Sequence, residues 1–203
     1  MKVRTESRRE AIIETAAQLF QEAGYERASM NELAKRVGGS KTTLYGYFPS
    51  KESLFEAVVR TYATSHLSDA TAGLKAEGEK GVALEPALMH FGERMLAVLT
   101  NDTRALAVYR MVIAESGRSD LGQLFHRSGP TESIAALSAF LKAAMENGTL
   151  RRSDPELRAQ QFLALVTAEI EGRMYERYST PLAPPQIRRM VKRAVEMFLS
   201  GAA

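Results

Sequence analysis

The sequence predicts an all-α protein in two parts, an N-terminal unit of three short helices followed by a larger helical body. Three observations carry this reading. Apolar residues recur at helical spacing along most of the chain, and glycine, proline and serine punctuate those stripes where helix caps belong. No stretch alternates apolar and polar residues as a half-buried strand would. With 203 residues and 45% hydrophobic side chains, the chain can bury a substantial core.

The first helix is marked by Ile12, Ile13, Ala16, Leu19, Phe20 and Ala23 and stopped by Gly24, with Tyr25 placed to fold back as a core residue. Ser29 and Glu32 read as a capping box opening a second helix, whose apolar face is Leu33, Ala34 and Val37. Gly38 and Gly39 end it. Ser40 then caps a third helix of about nine residues, which must end before Pro49 because a proline disfavours helical geometry in the residue ahead of it. Helix, glycine turn, helix is the grammar of a DNA-binding motif.

At ~100° per residue, Leu44 and Phe48 fall on the inward side of the third helix, Thr42, Thr43 and Gly46 fall opposite, and Tyr45 and Tyr47 take the edges. Threonine offers a hydroxyl to phosphates and base edges and a methyl to thymine, a tyrosine hydroxyl bonds phosphate, and Lys41 and Lys51 add charge. The candidate DNA contacts are therefore Ser29, Ser40, Lys41, Thr42, Thr43, Tyr45, Gly46, Tyr47 and Lys51, with double-stranded DNA as the partner. Gly46 costs the helix roughly 1 kcal/mol relative to alanine and gives no side chain to a base. Discrimination then falls on Thr42, Thr43, the tyrosines and DNA shape.

The run Gly38-Gly39-Ser40-Lys41, then Leu44-Tyr45-Gly46-Tyr47-Phe48, then Lys51, resembles the DNA-binding motif of the TetR family of bacterial repressors. That motif reads Gly-apolar-Ser-Lys-x-x-Leu-Tyr-x-Tyr/His-Phe-x-x-Lys. The resemblance covers about the first quarter of the chain. It implies a helix-turn-helix head over residues 1–49 and a ligand-sensing, dimerising body over 50–203. It further implies a ligand-responsive repressor acting as a homodimer on a palindromic operator, its two recognition helices one DNA turn apart. The basic arm with Lys2, Arg4, Arg8 and Arg9 would lie near the DNA backbone, or else form a solvated end. Gly39 stands where the family has an apolar plug, so the turn is expected to be loose and the head to order fully on DNA.

Ser50 opens a long helix through Leu54, Phe55, Val58, Val59, Tyr62, Ala63, His66, Leu67 and Ala70, which ends in the glycine-bearing stretch from Gly73 to Gly81. Lys51 sits in its first turn, where the dipole favours an anion. Pro86 opens a helix carrying Leu88, Met89, Phe91, Met95, Leu96 and Leu99. Asn101 or Asp102 caps the next, with Leu106, Tyr109, Val112 and Ile113. Leu121, Leu124 and Phe125 lead to a break at Gly129-Pro130, and the pattern resumes through Leu137, Phe140, Leu141 and Met145 to Asn147-Gly148. Residues 104–162 are reminiscent of the AefR-like C-terminal variant of the family.

Asp154-Pro155 starts the penultimate helix, whose Leu157, Phe162, Leu163, Leu165, Val166, Ile170, Met174 and Tyr175 occupy more than one face. The last helix carries Ile187, Met190, Val191, Ala194, Val195, Phe198 and Leu199 as a regular stripe. Two such helices from each of two chains make a four-helix bundle, so the expected dimer interface is Phe162, Val166, Ile170, Met174, Ile187, Val191, Val195 and Phe198. The other reading is that both helices close the protomer's own core.

For a small apolar or amphipathic ligand, the candidate pocket is Tyr62, Met89, Phe91, Met95, Tyr109, Phe125 and Phe162, soft and aromatic side chains that also suit a plain core. Catalysis, metals and cofactors are not expected. There is no cysteine, and the Gly117 to Gly122 stretch around Ser119 misses a nucleophile elbow by one residue. His66, His90 and His126 lack metal-ligand spacing. No run reaches a membrane span and the first residues lack the apolar core of a signal peptide, so the expectation is cytoplasmic. A net charge of +3 permits nucleic-acid binding. A transcriptional activator or a broadly binding architectural protein would use the same head.

Overall fold

The computed structural model describes residues 5–64, 70–74, 76, 83–117, 120–127, 130–176 and 179–202, which are mostly helical, with no strand among them. Lys2, Arg4, the side chain of Ala63, His66, Leu67, Ser119, Gly129 and most of the Gly73 to Gly81 stretch lie outside the described residues. Three helices make the head: α1 (Glu6–Ala23), α2 (Met30–Val37) and α3 (Lys41–Tyr47). The body follows with α4 (Lys51–Val59), α5 (Leu84–Asn101), α6 (Thr103–Glu115), α7 (Leu121–Arg127), α8 (Pro130–Glu146), α9 (Pro155–Thr167) and α10 (Pro184–Ala202). Among the described residues no helix is long and apolar enough to cross a membrane.

Most helix ends follow the local chemistry. Thr5 caps α1, and Gly24 at φ 78° closes it. Asp102 caps α6 by accepting from the N–H groups of Arg104 (2.9 Å) and Ala105 (3.0 Å). Asn101 is thereby released to bind the loop before α10, donating to Leu182 O at 3.0 Å and accepting from Leu182 N at 2.8 Å. Asp154 and Pro155 open α9 as expected.

The long helix expected from Ser50 is not regular throughout. Its α geometry ends at Val59 and widens into a π turn, Arg60–Thr64, against which α6 packs. There Tyr62 comes to lie under the Arg104 guanidinium, 5.3 Å from its ring centroid. Likewise α9 tightens into a 3-10 helix, Ala168–Tyr175, held by Arg110 of α6. The Arg110 guanidinium donates to the carbonyls of Arg173 and Met174, each at 3.0 Å.

Two apolar clusters hold the molecule together. The first unites the head and α4 with Val108 and Val112 of α6 and Leu121 and Phe125 of α7. Its hub is an aromatic trio, Phe20, Tyr25 and Phe55, with ring centroids 5.2–5.9 Å apart. The second packs α5, α8, α9 and α10 around Phe91, Phe162 and Phe198. Gly92 lets α5 sit directly on α10, because a Cβ there would lie 2.6 Å from Val191 Cγ1.

Gly92→Ala should therefore lower the unfolding free energy by about 1–3 kcal/mol through overpacking, measured by urea titration. Gly172→Ala, in a helical segment with open space, should instead raise it by about 0.4–1 kcal/mol.

Candidate nucleic-acid interface

The third helix, α3, is built by caps at both of its ends. Ser40 Oγ accepts from Thr43 N at 3.0 Å and lies 2.8 Å from Thr43 Oγ1, while Phe48 N donates to Leu44 O at 3.0 Å. Leu44 and Phe48 are buried against the head, the inward pair the helical period predicts. Gly38 takes the left-handed conformation, φ 69° and ψ 52°, which turns the chain from α2 into α3.

On the outer side, Lys41, Thr42 and Thr43 are exposed and Tyr45 is 39% exposed. Lys41 Nζ lies 5.7 Å from the Tyr45 ring centroid, so a cation and an aromatic edge are presented together. Gly46 is half-buried rather than fully open. Tyr47 is also half-buried, and its hydroxyl accepts from Thr5 N at 3.1 Å. That leaves the hydroxyl proton free to donate elsewhere.

Two residues singled out from the sequence have internal partners. Lys51 Nζ donates to Glu26 O at 3.1 Å and stands 4.2 Å over the Tyr25 ring. Ser29 caps α2 by accepting from Glu32 N at 3.1 Å, but Glu32 turns its carboxylate to Arg36 at 3.1 Å instead of completing the box. The reciprocal box occurs one motif later, between Ser50 and Ser53, where each hydroxyl accepts from the other residue's N–H at 3.1 Å. Beneath it, burial pushes the Tyr25 hydroxyl well above its ordinary range, with the Glu52 carboxylate adding to the effect.

Known proteins share this arrangement. Residues 12–58 match the family model for bacterial regulatory proteins of the tetR family, and residues 86–201 match the C-terminal domain of AefR-like transcriptional repressors. The chain belongs to the TetR family of DNA-binding transcriptional regulators. It is similar over its whole length to a TetR-family regulator from Mesorhizobium loti, with a TM-score of 0.81, 26% identity and 100% of both chains covered. The flavonoid-responsive regulator FrrA has a TM-score of 0.76 and 31% identity, with 98% of each chain covered. The nucleoid occlusion factor SlmA of Marinobacter nauticus is 30% identical over 176 residues, 83% of this chain and 82% of that protein. For SlmA of Haemophilus influenzae the match is 39% over 72 residues, 36% of this chain and a smaller share, 33%, of that protein.

The body of this TetR-family chain departs from two expectations. The seven residues named for one ligand pocket divide between the two clusters. Tyr62, Tyr109 and Phe125 belong with the first, and Met89, Phe91, Met95 and Phe162 with the second. Tyr109 meets Phe125 edge-on at 4.8 Å, and burial pushes its hydroxyl up to about 12. Tyr62 instead lines a narrow cleft of about 50 Å³ between α1 and α6, beside Glu14 and Arg104.

The second departure concerns the dimer face. Phe162, Val166, Ile170, Ile187, Val191, Val195 and Phe198 are all buried in the protomer's own core, and only Met174 is partly exposed. The apolar faces of α9 and α10 are covered here by α5, by α8 and by each other, so those side chains are already committed. The large apolar side chains left outside on α9 and α10 are Leu157, 48% exposed, and Met197, 66% exposed. Met197 lies off the regular stripe of α10, and Leu157 is one of the α9 side chains that fall outside its core-facing side. Among the described residues no group of three histidines or carboxylates converges on one point.

Ser40→Ala should cost about 1 kcal/mol by removing the cap, read as a lower melting temperature and faster amide exchange in α3 than in α2.

Proposed function

We propose that this TetR-family regulator is a homodimeric repressor of a palindromic operator, released by a small apolar or amphipathic ligand. The observation that carries the DNA-reading part is the outer side of α3. There Lys41, Thr42, Thr43 and Tyr45 stand exposed on a helix capped at both ends and backed by a buried core. In this reading Thr42, Thr43 and Tyr45 meet base edges and sugar, Lys41 and the Tyr47 hydroxyl hold phosphate, and Ser29 and Ser40 lie near the backbone. Lys51 acts through the Tyr25 ring and the Glu26 carbonyl.

The dimer would form through the outer side of α9 and α10, where Ala164, Leu165 and Met197 make a shallow apolar surface rimmed by Arg158 and Gln161, with Leu157 exposed on the same helix as Arg158. Two-fold pairing of the heads is what a palindrome requires. The ligand response is supported by likeness to FrrA, which is flavonoid-responsive. A second reading, binding at many chromosomal sites, is favoured by the similarity to a nucleoid occlusion factor over most of the chain.

Selection of duplexes from a random pool separates the two. One palindromic consensus is expected, and enrichment without a consensus would favour the second reading. On the selected duplex, Tyr45→Ala should weaken binding at least about tenfold, a loss of ~1.4 kcal/mol. Lys41→Ala should lower the salt slope by about one. Met197→Arg should sediment as a monomer, and an unchanged dimer would remove this face from the interface. A flavonoid panel should raise the melting temperature, a ligand at 100 times its Kd contributing about 2.7 kcal/mol, and should weaken DNA binding.

A further inference from the structure

Two glycines stand side by side in the turn before α3, and the backbone requires only one of them. Gly38 is left-handed, whereas Gly39 is not among the glycines with positive φ. Any residue could adopt the Gly39 backbone. A side chain there would meet Arg8, because a Cβ at Gly39 would lie 3.0 Å from Arg8 Nη2 and the guanidinium would have to give way to admit it.

Arg8 reaches this point from the first turn of α1, and the same Nη2 donates to Gly38 O at 3.2 Å. The turn's amides are already committed to α2, Gly38 N to Lys35 O at 3.1 Å and Gly39 N to Ala34 O at 3.0 Å. The guanidinium therefore takes up the carbonyl that the turn leaves over, in a charge-assisted bond. Beneath it a gap of only about 10 Å³ remains, lined by Ile12, Ala34, Val37, Thr43 and Leu44.

The far end of α3 is held from the same turn of α1. Thr5 N donates to the Tyr47 hydroxyl at 3.1 Å, and the Arg9 guanidinium lies 5.4 Å from the Phe48 ring centroid. One turn of α1 thus grips the recognition helix at both ends. The loose turn expected from the missing side chain at Gly39 is filled from another helix.

We propose that Arg8 is a positioning residue for DNA recognition: its guanidinium is the wedge between α2 and α3 that a side chain at Gly39 would otherwise supply, and it sets the angle of α3. It acts through the turn and not by touching DNA. The proposal rests on α3 being the recognition helix, and Arg8 and Gly39 are a coupled pair in which one side chain fills the space of the other.

The test compares wild type, Arg8→Ala, Arg8→Lys, Gly39→Leu and the double variant Arg8→Ala/Gly39→Leu. Each is melted without DNA, and each is titrated with the duplex selected by wild type at several salt concentrations. Each single variant should bind about tenfold more weakly, the loss of one charge-assisted bond, with an unchanged salt slope. The double variant should return to within about threefold of wild type, because the leucine refills the wedge; a double-mutant cycle reads this as coupling. Melting temperatures should show the same coupling.

Losses that multiply in the double variant overturn the pair. A salt slope lower by about one in Arg8→Ala makes Arg8 a phosphate ligand and overturns the positioning role. Full affinity in Arg8→Lys means that charge alone suffices, which also overturns it. If wild type selects no duplex, the DNA-reading assignment fails by itself, while additive melting shifts would separately refute the wedge.

Discussion

The packing of Phe20, Tyr25 and Phe55 is the constraint on which the rest of this molecule depends. These rings close the three-helix head, and Val108, Val112, Leu121 and Phe125 from the body enter the same cluster. Each of those four is buried, and exposing a side chain of that size to water costs about 1.5–3 kcal/mol. A head held in this way cannot swing freely on a tether. Any change in the position of α3 must carry α6 and α7 with it or break that apolar contact.

This gives α6 a mechanical place between the two halves of the chain. One side of the helix contributes Val108 and Val112 to the head's cluster, and Arg110 grips the carbonyls at the end of the 3-10 segment that continues α9. The guanidinium also donates to Ser179 Oγ at 3.3 Å, so the segment is tied on both sides of its end. The turn of α4 that meets α6 is the π turn, where Arg104 covers Tyr62 and reaches Glu14 of α1 at 3.3 Å. A ligand shifts such an assembly only by binding two arrangements unequally. The contacts able to differ between arrangements are these polar ones, since a close-packed apolar cluster tolerates little graded deformation.

What the sequence made legible is what local chemistry decides. Ser40, Gly24, Gly38, Asp102 and Asp154-Pro155 mark helix ends because the orphan backbone groups there are satisfied by the residue itself or its near neighbours. The inward pair Leu44 and Phe48 follows from period alone. Tertiary decisions were not legible. Periodicity says that Ile187, Val191, Val195 and Phe198 lie on one apolar face, but not whether their own chain or a second copy covers that face. Nor does spacing say which acceptor a long side chain prefers. Glu32 had a cap within reach and took Arg36, Lys51 took Tyr25 and Glu26, and Arg8 occupied a gap thirty residues away that reads in the sequence only as a surplus glycine.

These long side chains also rank the cations of the head as partners for DNA. Lys51 already has a carbonyl and an aromatic face, so a phosphate must compete with both, and the net gain is the difference between two hydrogen-bonded states. Arg36 is committed more strongly, to Glu22 at 2.6 Å and Glu32 at 3.1 Å, and those carboxylates would repel a phosphate brought near it. Lys41 has the Tyr45 ring at 5.7 Å, an exposed contact worth only about 0.5–1 kcal/mol and readily exchanged for an anion. Lys41, at the start of α3, is thus more readily released to an anion than Lys51 or Arg36. Gly46 leaves the middle of that helix without a side chain, so the exposed polar side chains of α3 gather in its first turn, where the Ser40 cap and the Arg8 bond hold the backbone.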